Sequence, residues 1–131
     1  MKKLVFILVM LLSGCGSLPI NQPTPKLAEP KLVICDGPCN YEILLEALEF
    51  WEDLAPGSFS TSAGVGVVTF IYAPDLVPPV DAETLSNSKI CLVYLSDRAT
   101  NWELYAHELG HCLGLYDVCD PDDLMYSTPN C

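Results

Sequence analysis

Tyr105 to Tyr126 reads Y-A-H-E-L-G-H-C-L-G-L-Y-D-V-C-D-P-D-D-L-M-Y. His107 and His111 stand four residues apart, with Glu108 beside the first. Helical residues four apart share a face, one turn above each other. A helix here presents both imidazoles to one ion, and Glu108 lies where it contacts a water on that ion. Gly114 follows three residues after His111. Glycine adopts positive φ without strain, so Gly114 can end the helix and reverse the chain. The reversal returns Asp117 as a third ligand. Three protein ligands and one open position are what a catalytic zinc needs.

His107 to His111 forms an H-E-x-x-H motif, which Gly114 and Asp117 extend to H-E-x-x-H-x-x-G-x-x-D. The extended motif resembles that of the metzincin peptidases. Ala106 to Leu115 with Leu124-Met125-Tyr126 looks most like the matrixins, and Asp117 in place of a third His resembles the snapalysins. The resemblance implies that Met125 is the methionine of a turn beneath the metal. It also implies a zinc endopeptidase acting on a protein or peptide substrate, by attack of a metal-activated water. Glu108 would accept the proton and pass it to the leaving amine. Two other readings stay open: a surface lipoprotein that binds metal with little turnover, and an amidase acting on cell-wall peptides. The presence of Glu108 favours hydrolysis, because a purely structural site does not need it.

Working upstream, Thr100 and Glu103 form a capping box that opens the helix. Trp102, Tyr105, Leu109, Cys112 and Leu113 fall on the arc expected to face a sheet, leaving His107 and His111 to a cleft. Gly110 inside a helix costs about 1 kcal/mol against Ala, which implies close approach by another segment. Lys89 to Ser96, Val65 to Tyr72 and Leu32 to Cys35 read as strands, and Ala73 to Ser88 as a long surface loop. Asn40 caps a helix running to Leu54, with Tyr41, Leu44, Leu45, Leu48 and Trp51 on its apolar side. The expected fold is a small α+β, metzincin-like domain: a twisted, mostly parallel sheet carrying two helices.

The chain begins with Lys2 and Lys3, an apolar run from Leu4 to Leu12, and Ser13-Gly14-Cys15. That is the build of a signal peptide, too short to span a bilayer. Leu12 to Cys15 resembles a bacterial lipobox, which implies removal of residues 1–14 and lipidation of Cys15. Residues 15–30 contain Pro19, Pro23, Pro25 and Pro30 and read as an extended tether. Residues 31–131 form the expected metallopeptidase domain. The reading is of an exported monomer, lipid-anchored at an outer membrane or cell surface.

A domain of this size has a marginal core, so staples are expected. With Cys15 set aside, Cys35, Cys39, Cys91, Cys112, Cys119 and Cys131 form an even set. Three disulfides follow, with pairing left open among about 15 arrangements. No C-x-x-C pair supports a second zinc site. The formal charge of −11 becomes −13 once Lys2 and Lys3 are removed, which argues against nucleic acid as a partner. Asp120, Asp122 and Asp123 could take calcium, but a solvated turn around Pro121 is the simpler reading.

Overall fold

The computed structural model describes residues 20–23, 29–35, 37 and 39–128. The signal segment, Cys15 and Cys131 lie outside the described residues. The elements run β1 (Lys31–Cys35), α1 (Tyr41–Leu54), β2 (Phe59–Ser60), β3 (Val67–Tyr72), β4 (Ala82–Ser86), β5 (Ile90–Leu95) and α2 (Trp102–Cys112). Among the described residues, the strands form one sheet in the order β2-β1-β3-β5-β4. Every neighbouring pair is parallel except β4 with β5. The α+β fold, mostly parallel sheet and two helices agree with the sequence reading.

Period-two alternation explains the layering. Val33, Val68, Phe70, Cys91, Val93 and Leu95 are buried, while Ile34 and Ile90, on alternate positions, are exposed. The register lines up Val33, Val68 and Cys91 across three strands. Both helices join the same core through Leu44, Ala47 and Trp51 of α1 and Tyr105, Ala106 and Leu109 of α2. Tyr105 stacks on Phe70 with ring centroids 5.4 Å apart. The Trp51 indole N–H donates to the Ala106 carbonyl at 2.9 Å, so the largest core side chain also satisfies its polar atom. Fully burying a side chain of this kind stabilises by at least about 1.5–3 kcal/mol.

Asn40 caps α1 as expected, its side-chain oxygen accepting from the N–H groups of Glu42 and Ile43. Two expected core positions on α1 are exposed: Tyr41 is 51% exposed and Leu45 45%. Leu44, Ala47 and Trp51 centre the buried arc; Leu45 lies 100° round from Leu44, and Tyr41 stands in the first turn. The cap of α2 is also corrected. Asn101, not Thr100, is the N-cap, accepting from Leu104 N at 2.8 Å. Glu103 therefore lies in the first turn and suits the helix dipole rather than closing a capping box.

The expected loop from Ala73 to Ser88 contains β4, which pairs antiparallel with β5 from Ala82↔Leu95 to Ser86↔Cys91. Its sequence, A-E-T-L-S, lacks the β-branched and aromatic density of a central strand. Pairing with β5 supplies what local propensity does not.

Three cysteine pairings are resolved in part. Cys35 bonds Cys39 across the turn before α1, and Cys91 bonds Cys112, tying β5 to α2. Cys119 is also disulfide-bonded. No described helix is long and apolar enough to cross a membrane. The described part of the expected tether does not stand clear of the domain: Ile20 packs against the core, and Asn21 and Gln22 hydrogen-bond to the segment after α2.

Candidate metal centre

Helix α2 ends as its sequence requires. Gly114 has φ +89°. Its N–H donates to His111 O, and Leu115 N–H donates to Gly110 O. This pair of bonds is a Schellman motif, and the positive φ explains why glycine stands there. The chain then turns back under the helix. Val118 N donates to Met125 O at 2.9 Å and Ser127 N to Val118 O at 3.2 Å, which closes the Asp117–Tyr126 excursion.

The returning chain orients both imidazoles with its own carbonyls. His107 Nδ1 lies 2.8 Å from Leu124 O, and His111 Nδ1 lies 2.9 Å from Leu115 O. A carbonyl only accepts, so each Nδ1 carries the proton. In the neutral ring each Nε2 then presents a bare lone pair. Those two nitrogens are 3.1 Å apart, and Asp117 Oδ1 lies 3.1 Å from one and 3.2 Å from the other.

Three acceptors in mutual contact repel unless a cation stands with them, whether a metal or an added proton. Tetrahedral zinc with ligands at 2.0–2.1 Å sets its donors about 3.3 Å apart, close to the triangle found here. The donor set and its spacing therefore fit a zinc ion. Among the described residues, His107, His111 and Asp117 are the one group of at least three potential ligands within reach of one another. All three line a cleft of about 520 Å³.

Glu108 lies beside them, buried at 5% exposure. Its Oε2 accepts a hydrogen bond from the Thr84 hydroxyl. Burial holds the Glu108 carboxyl above its usual range, opposed by the Thr84 hydrogen bond and by the two imidazoles. Thr84 is a residue that sequence reasoning missed. It pairs with Val93, whose side chain is buried on the helix side, so strand parity aims Thr84 at α2. The only local signal was the alternation of Ala82, Thr84 and Ser86 with Glu83 and Leu85, in a stretch otherwise read as loop.

Met125 is fully buried under α2. A Cβ built on Gly110 would lie 2.5 Å from Met125 Sδ and 3.2 Å from Trp51. The close approach expected at Gly110 is thus by Met125 from one side and Trp51 from the other. Asp123, one of the calcium candidates, is buried and accepts from Met125 N at 2.7 Å and from Asn21 N at 2.9 Å. Asp120 accepts from Asp122 N at 3.0 Å. These carboxylates shape the turn that carries Met125. Cys112, which stands between His111 and Asp117 in sequence, belongs to the Cys91 disulfide and points away from the cluster into the core.

No protein-family model matches the chain, and no curated protein matches it.

Proposed function

We propose that this protein is a zinc-dependent endopeptidase of metzincin type. One observation carries the reading: two Nε2 lone pairs and a carboxylate oxygen converge within 3.2 Å, with a buried carboxylate adjacent. His107, His111 and Asp117 would hold the ion. A zinc ion in that position supplies Lewis acidity, which lowers the pKa of water and polarises a carbonyl.

The chain's own groups do the rest. Thr84 engages Oε2 of Glu108 and fixes the carboxylate's rotation. Oε1 is then the atom that takes the proton of the attacking water and delivers it to the leaving amine. Strand β4 is at the sheet edge, with β5 as its one neighbour among the described strands. Ala82, Glu83, Thr84 and Ser86 of β4 line the same cleft as the three ligands. An extended peptide adding to that edge would bring its carbonyls past Glu108, with backbone hydrogen bonds setting the register. The proposal includes export and lipid attachment through Cys15, motivated by the Leu12 to Cys15 sequence.

The test uses purified protein, an unfolded protein substrate, and zinc added or removed by chelator. Zinc-loaded protein should cleave, and chelation should abolish cleavage reversibly. Glu108→Ala should bind zinc as tightly as wild type and lose at least about 10²-fold in rate. Near-normal turnover by that variant would eliminate Glu108 as the base. Tight zinc binding with no hydrolysis of protein or cell-wall peptides would leave the metal-binding lipoprotein.

A further inference from the structure

Asp117 is reached through Tyr116, which is 79% exposed, so burial does little to fix it. Its backbone is held instead from 94 residues upstream. The Gln22 side-chain amide donates to Tyr116 O at 2.6 Å and accepts from Tyr116 N at 2.9 Å. One side chain thereby satisfies both main-chain groups of the residue before Asp117, as a neighbouring strand would. The next residue upstream reaches the other end of the same excursion. Asn21 N donates to Asp123 Oδ2 at 2.9 Å, and Asp123 Oδ1 accepts from Met125 N. The Asn21 amide makes a longer contact, 3.3 Å, to Asp120 Oδ2. Ile20 packs against the core and anchors the segment.

We propose that residues 20–22 form a strap that positions the metal-holding loop, with Gln22 as the positioning residue for Asp117. The inference rests on the zinc reading of the site and adds to it. The helix delivers His107 and His111 rigidly. The third ligand stands past the end of the helix, on chain held after it by the Val118–Met125 hydrogen bond and before it by Gln22. The upstream segment is thus a working part of the metal centre, although it precedes the first strand.

The experiment measures zinc affinity and zinc release on the full chain, by competition with a chromogenic chelator well below the melting temperature. Under those conditions the unfolded fraction is negligible. A loss of overall stability alone therefore leaves native affinity unchanged, and only a change in the folded site moves it. Wild type should bind one zinc per chain. Gln22→Ala should bind about tenfold more weakly and release zinc faster, matching two lost hydrogen bonds. Asn21→Ala should weaken binding less than Gln22→Ala, because it removes only the long contact to Asp120 and leaves the backbone bond to Asp123. Gln22→Glu keeps the acceptor for Tyr116 N but turns a second acceptor toward Tyr116 O, and should bind at least as weakly as Gln22→Ala; it serves if Gln22→Ala does not fold. Wild-type affinity in the folded Gln22 variants overturns the strap and leaves the zinc site standing. Absence of zinc binding by wild type overturns the zinc reading, and the strap with it.

Discussion

Two regions of this molecule are held by different forces. The sheet and its helices bury Trp51, Phe70, Tyr105, Val68, Val93 and Leu109 almost completely. The excursion from Gly114 to Ser127 buries only Leu115, Asp123, Leu124 and Met125. It is held by directional bonds: imidazoles to Leu115 O and Leu124 O, the Asp123 carboxylate to Met125 N, and the Gln22 amide to Tyr116. Apolar burial is non-directional and sets how firmly the domain folds. Hydrogen bonds fix position and rotation, which a cluster of three candidate ligand atoms requires. The difference predicts that damage to one region lowers melting temperature and damage to the other lowers metal affinity.

The largest effect should come from the scaffold. Trp51→Ala removes the largest buried side chain and its hydrogen bond to the Ala106 carbonyl, so we expect a loss of about 3–5 kcal/mol by denaturant unfolding. A loss below about 1 kcal/mol would mean the core is not centred there. Replacing Cys91 and Cys112 together by Ala should cost about 3 kcal/mol, from restored freedom of the 21-residue loop in the unfolded chain. Zinc affinity of the folded remainder should barely change. A large affinity loss would show that β5 positions the ligands and would blur the contrast.

Gly110→Ala lies on the border between the regions. The new Cβ meets Met125 and Trp51, which costs about 1–3 kcal/mol, against about 1 kcal/mol of gained helix propensity. Net stability should therefore fall by about 0–2 kcal/mol. Zinc affinity should drop several-fold, because displacing Met125 also moves Leu124 O away from His107. Unchanged affinity with a full loss of stability would assign Gly110 to packing alone. The smallest effect belongs to Thr84→Val, which keeps shape and removes the hydroxyl bonded to Glu108. Hydrolysis should slow by about threefold to tenfold with zinc affinity intact. No change in rate would exclude Thr84 as the group that sets the Glu108 carboxylate.

The candidate site was legible because its information is local. The spacing of His107 and His111 needs only helical geometry, and Gly114 needs only its freedom at positive φ. The core of α1 was legible in part. The pattern picked out Leu44 and Trp51, but the apolar side chains at Tyr41 and Leu45 read as core although the fold leaves them outside. Amphipathic periodicity shows that a face exists and leaves its edges to the neighbours that cover it.

The α+β class, the helix that carries two imidazoles, the turn at Gly114 and an even cysteine set outside Cys15 could all be read from residue order alone. Only the assembled fold settled strand β4 with Thr84 aimed at Glu108, the pairing of Cys91 with Cys112, and the grip of Gln22 on Tyr116. The first group depends on interactions among residues a few positions apart, where backbone geometry dictates the outcome. The second joins residues 21 to 94 positions apart, and such contacts exist only once burial of the core has brought their elements together.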